Sequence, residues 1–375
     1  MIRRWVVILV LAFAIAALGN SPFRSASALT RSLATDNAPN PASNFTVSQL
    51  ADGVFACIRN EPPGFMVDAN NVFIIGDHGV VVVDSNGAPA ITREVISALR
   101  KITNKPVKYV INTHWHDDHI RGNQVYRDSF PEVEFIGHTS MREYLSNQGA
   151  VNRKQFLEQA PQFLQALKGS IQTKKNLSGG PLSEEEQQSY ESDVRLAEFV
   201  LSDGASAPAI LPTIEVTDHL TLNRGSREIR IEHLGRGHTS ADLVVFLPRE
   251  RILITGDLVV WPIPLVGDPQ SHIADWAATL KKMLSLGAST IVPGHGPVLR
   301  DSSYIESLEA LFTSIATQTR EAVAHGETLD QTRKSVKLEY FQKKLAGDSE
   351  VRKSLFLNYV VYPGVAAAFK DASAK

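Results

Sequence analysis

Thr113-His114-Trp115-His116-Asp117-Asp118-His119 places three imidazoles and two carboxylates in seven consecutive residues. The whole chain has 375 residues and only 11 histidines, so this density calls for a chemical reason. Neutral imidazole and carboxylate oxygen are the donors that suit Zn²⁺. Working outward, three further places supply matching groups: His238 in Gly237-His238-Thr239-Ser240, Asp257 in Thr255-Gly256-Asp257, and His295 in Pro293-Gly294-His295-Gly296. Each follows an apolar, β-branched run that reads as a buried strand. The runs are Val107–Ile111, Ile229–Leu234, Arg251–Ile254 and Thr290–Val292. Donors at the carboxyl ends of several strands converge on one edge of a sheet, where loops aim them and the scaffold fixes them.

The ordered set HxHxDH, GHT, GD and GH resembles the metallo-β-lactamase superfamily over about residues 45–300. The resemblance implies a four-layer αββα sandwich, with two mixed sheets face to face and helices outside. It implies two zinc ions per chain, one on His114, His116 and His238 and the other on Asp118, His119 and His295. Asp257 would bridge both, and Asp118 and Asp257 are the residues expected to act in catalysis. The residue types alone agree in part: three imidazoles leave a tetrahedral zinc one open position, the catalytic pattern. Metal coordination makes water a nucleophile at neutral pH. No GxSxG elbow is present to offer a serine instead.

The antibiotic-degrading members of that family carry Cys or Ser where this chain has Asp257, and the Cys type has Lys where this chain has Val260. The resemblance is therefore closer to the lactonase, thioesterase and glyoxalase-like branches. The expected activity is hydrolysis of a small cyclic or activated acyl bond: a lactone, β-lactam or thioester. The alternatives are a phosphodiesterase or sulfate-ester hydrolase on the same metals, and a non-catalytic zinc-binding module.

Arg3 and Arg4 precede a 14-residue apolar stretch, Trp5–Leu18, and Ala26-Ser27-Ala28 follows. This reads as a cleaved signal peptide over 1–28, too short to span a bilayer, with a flexible leader at 29–44. The expected location is periplasmic or secreted, without a stable membrane anchor. The charge of −2 falls to −5 without the signal, which holds three arginines and no acid. That balance argues against nucleic acid and for a small-molecule substrate. Cys57 is the single cysteine, so no intrachain disulfide forms; its strand-like surroundings make it a core residue.

Pro89 to about Arg100 reads as a helix, with apolar residues at Ile91, Val95, Ile96 and Leu99. Residues 138–203 are polar and helical, broken at Ser178-Gly179-Gly180-Pro181, with Ser183-Glu184-Glu185-Glu186 as a capped start. This insertion is expected to cover a sheet face, with a substrate lid as the alternative. Residues 301–375 are expected to add two or three helices packed on the domain. Asp117 has two readings, orienting a ligand imidazole or capping the next helix. Trp115 reads as core, Trp261 as core or pocket wall in equal measure, and Asn123 as a turn residue or a group aimed into the site. His233 sits where a strand residue could face the site.

Overall fold

The computed structural model describes residues 44–225, 227–267 and 270–374. The expected signal peptide (1–28) and all but the last residue of the expected leader (29–44) lie outside them. Seven strands form the first sheet in sequence order: β1 Phe45–Ala51, β2 Val54–Arg59, β3 Asn71–Ile75, β4 Val80–Val83, β5 Val107–Ile111, β6 Glu134–His138 and β7 Ile214–Val216. Its first four strands are antiparallel and the remainder parallel. The second sheet runs β12-β11-β10-β9-β8, from β8 His219–Arg224, β9 Arg227–Glu232, β10 Val244–Leu247, β11 Ile252–Ile254 and β12 Thr290–Val292.

β4 shows why the sheets stack. Its four valines are all buried, and they alternate between two cores. Val81 and Val83 meet Val245, Leu247 and Ile254 of the second sheet. Val80 and Val82 meet Val95, Ile96 and Leu99 of helix α1, Pro89–Ile102. A strand covered on both faces reads as an unbroken apolar run because side chains alternate along it. Cys57 is buried in the second of these cores.

The outer face of the second sheet, Val244, Phe246, Leu253 and Ile291, packs on α7 Ile273–Ser285 and α8 Ser303–Ala324. The layers are therefore helix, sheet, sheet, helix. The region after residue 301 holds five α-helices instead of two or three: α8, α9 Leu329–Ser335, α10 Glu339–Ala346, α11 Glu350–Phe356 and α12 Tyr362–Ser373. Short turns such as Gly326 and Gly347, both at positive φ, divide what composition alone leaves continuous.

Between β6 and β7 lie α4 Ser140–Ser146 and two long helices, α5 Gln148–Thr173 and α6 Glu184–Phe199. Ser183 and Glu186 form the expected capping box on α6. The long pair does not cover a sheet face. Leu196 and Phe199 pack on Ala88 and Ile91, and Phe163 and Tyr190 pack on Phe65 and Met66. The pair thus sits over loops at the carboxyl edge of the sheets, beside the site.

Candidate metal centre

The carboxyl end of β5 delivers His114 and His116, and the short helix α2, Asp117–Ile120, carries Asp118 and His119. His238 follows β9, Asp257 lies in a 3₁₀ turn after β11, and His295 follows β12. All seven residues meet in one buried cluster, in two adjoining groups. In the first, His116 Nδ1 lies 3.0 Å from His114 Nε2 and 2.8 Å from His238 Nε2. In the second, His119 Nε2 and His295 Nε2 are 3.4 Å apart, and Asp118 Oδ2 is 3.3 and 3.2 Å from them. Asp257 joins the two. Its Oδ1 lies 3.2 Å from His119 and 3.3 Å from His295, and its Oδ2 lies 3.5 Å from His238.

The glycines beside these residues are there for space. A Cβ on Gly294 would stand 2.0 Å from Asp257 Oδ1. Gly256 has φ +51, and a Cβ there would stand 2.4 Å from Thr113 Oγ1. The backbone of each loop must come this close for Asp257 to reach both halves of the cluster.

Each imidazole is held from behind. His119 Nδ1 meets Asp84 Oδ2 at 2.9 Å, and His295 Nδ1 meets the Asp68 carbonyl at 3.0 Å. His238 Nδ1 meets the Leu265 carbonyl at 2.7 Å, and His116 Nε2 meets Gln270 Oε1 at 3.1 Å. His114 Nδ1 meets Thr113 Oγ1 at 3.1 Å, and that hydroxyl donates to Asp84. Outer acceptors place the ring proton outside, so the inner nitrogens present lone pairs to the centre.

The carboxylates and imidazoles of the cluster perturb one another strongly. Burial opposes ionisation of Asp118 and Asp257, but His119 and His295 hold both carboxyls well below the usual range. Burial would strip the charge from His119, yet Asp118, Asp84 and Asp257 hold it well above its ordinary value. Burial and the neighbouring imidazoles keep His114 neutral and push His238 down to about 3. Asp118 Oδ2 and Asp257 Oδ1 are buried without a hydrogen-bond donor. Orphaned carboxylate oxygens beside a set of imidazoles fit a divalent metal site.

Several residues stand elsewhere than expected. Asp117 neither orients an imidazole nor caps the helix. It binds Arg121 Nε at 2.5 Å and, 36 residues on, Arg153 Nη1 of α5 at 2.6 Å. Asn123 donates to Asn112 at 2.7 Å behind the cluster, and Asn112 donates to the His119 carbonyl. Trp261 stays out of the cavity wall, under the Arg352 guanidinium at 5.0 Å. β9 ends at Glu232, and His233 turns to His138, ring to ring at 4.4 Å. Trp115 is buried, as expected, and stacks on Tyr144.

Asp84 is the main residue missing from the sequence reading. It follows β4 with φ +58, and it accepts from Thr113 N and Oγ1 as well as facing His119. Partners of metal-bound imidazoles typically matter by 10–100-fold. Asp84→Ala should therefore weaken metal affinity of the cluster about 10–100-fold. Competition titration against a chelating dye measures this, and a variant within twofold of the parent would reduce Asp84 to a loop anchor.

The cluster opens into a cavity of about 140 Å³ that is open to solvent on one side. Its floor loop is clamped from two sides. Asp193 of α6 accepts from Phe65 N and Met66 N at 3.1 and 2.8 Å, and Tyr359 Oη donates to the Phe65 carbonyl at 2.7 Å. Burial pushes the Asp193 carboxyl up to about 7, against those two N–H donors.

The sequence profile of the metallo-beta-lactamase superfamily matches residues 66–295, and the chain belongs to that superfamily. Its members are hydrolases, and this chain has their fold. It is 25% identical over 285 residues to the linear primary-alkylsulfatase of Pseudomonas sp. (strain ATCC 19151), covering 73% of this chain and 48% of that protein. It is 23% identical over 256 residues to the beta-lactamase-like protein 2 homolog of Caenorhabditis elegans, covering 68% of this chain and 64% of that one. The chain thus spans about half to under two thirds of these relatives. The structure of the inverting sec-alkylsulfatase Pisa1 from Pseudomonas sp. shares the fold, with a TM-score of 0.61 and 14% identity over 87% of this chain and 50% of that one.

Proposed function

We propose that the chain is an exported hydrolase that holds two zinc ions and cleaves a small cyclic or activated acyl bond, as in a lactone, β-lactam or thioester. The observation that carries this reading is Asp257, whose two oxygens face the two halves of a seven-residue donor set at the base of an open cavity. His114, His116 and His238 would hold one ion, Asp118, His119 and His295 the other, and Asp257 both. Such ions supply Lewis acidity and acidify coordinated water. The chain's own residues do the rest. Asp84, Asp68 and Leu265 fix the imidazoles, and Phe65, Met66 and Leu265 give the cavity an apolar lining beside them. The charge balance and the Arg3-Arg4 apolar leader support export and a small-molecule substrate.

Identity to an alkylsulfatase favours sulfate-ester hydrolysis as a second reading. Zinc-supplemented protein without residues 1–28 should be assayed on lactones, β-lactams, thioesters, sulfate esters and phosphodiesters. Turnover of a lactone, β-lactam or thioester is expected. Turnover of sulfate esters alone would select the second reading. Two bound zinc ions with no turnover of any class would leave a binding module.

A further inference from the structure

The insertion and the C-terminal helices bring groups to the metal centre that the metal motifs do not account for. Phe156 of α5, Leu196 of α6 and Tyr359 face the same cavity as His116, Asp118 and Asp257. With Ile91, Phe65 and Met66 they make one continuous apolar wall. The polar backbone of the floor loop is satisfied on the far side, by Asp193 and Tyr359 Oη, so the loop turns apolar side chains to the cavity.

Two rare elements coincide here. Residues Val200–Gly204 and Leu357–Val361 are π-helical turns, and both contribute to this wall, through Val200 and Tyr359. π turns are uncommon and recur at functional sites. Their meeting across one cavity, from segments about 160 residues apart, marks a surface shaped for a ligand.

The charge of the wall is equally informative. Among the described lining residues Arg153 is the only lysine or arginine. Its guanidinium is already engaged: Nη1 binds Asp117 at 2.6 Å and Nη2 binds the Gly204 carbonyl at 2.6 Å. Away from the metal cluster the wall therefore offers one partly engaged cation among mostly apolar side chains.

We propose that this wall is the acceptor site for an uncharged apolar chain, and that the substrate class is a lipophilic acyl compound whose reacting carbonyl meets the metal centre. This rests on the hydrolase reading for the reacting group, but not for the chain site. The wall can be probed without turnover. Zinc-supplemented protein is titrated calorimetrically with 1-butanol, 1-hexanol, 1-octanol and 1-decanol. Dissociation constants should fall by up to about fourfold per added methylene until the wall is filled. Val200→Phe should move that limit to shorter chains, and Phe156→Ala should weaken binding of the longest. Both positions are only half-buried, so the variants should fold. The same chain-length order should appear in kcat/KM for thioesters of rising acyl length. Affinity indifferent to length, or a series identical in the parent and both variants, would overturn the proposal. Alkanols that bind in the expected order while no ester or thioester is cleaved would defeat the hydrolase reading and uphold the chain site.

Discussion

Asp257→Ala is expected to lower kcat/KM by more than about 100-fold while the chain stays folded. The bound follows from magnitudes: partners that only touch a ligand imidazole matter by 10–100-fold, so a carboxylate shared by both halves must matter more. Its Oδ1 is 3.2–3.3 Å from His119 and His295, and its Oδ2 faces His238 at 3.5 Å. Truncation also leaves His119 and His295 with less negative charge to oppose. Zinc per chain should fall below two equivalents by elemental analysis, with circular dichroism unchanged. Full zinc occupancy and near-parental rates would move Asp257 out of the ligand set. The adjoining Gly294 restrains the replacement little, since Ala removes the oxygen its Cβ space protects.

Chelation should abolish activity and lower the melting temperature by about 5–10 °C, both restored by added zinc. A ligand that binds only the native state stabilises it by about 2.7 kcal/mol at a hundredfold excess over its dissociation constant. For a chain of this size one kcal/mol moves the midpoint by about 2 °C, and two ions act together. Without a cation, Asp118 Oδ2 and Asp257 Oδ1 stay buried and unsatisfied, which adds to the penalty. Differential scanning calorimetry with and without chelator measures the shift. An unchanged midpoint with retained turnover would end the metal reading.

The sheets were readable because their strands are short, β-branched and doubly covered, as Val80–Val83 shows. The seven cluster residues were readable because each motif ties a donor to a glycine or a strand end, and those glycines have a steric cause in Gly256 and Gly294. Asp84 was not, because a lone Asp after a valine run has no partner until β4 and β5 pair and Thr113 arrives. Asp117 misled for a similar reason. Arg121 is one helical turn away, but Arg153 comes from the insertion, and no local pattern foretells a contact across 36 residues. The insertion's place was misjudged because its apolar residues pack on loops, whose positions are set by tertiary structure alone.

The donor set hangs from loops of both sheets, from His114 to His295, so no fragment of the chain can assemble it. Closing loops of that length is an entropic toll met only when the sheets dock. A cluster that assembles only once both sheets are docked is expected to contribute late in folding. Stabilisation of that kind slows unfolding and leaves the folding rate nearly untouched. With Cys57 the single cysteine, no intrachain disulfide forms, and the native lifetime is expected to depend on that late closure. Persistence under proteolysis should then track how firmly the cluster is held, more than how fast the sandwich forms.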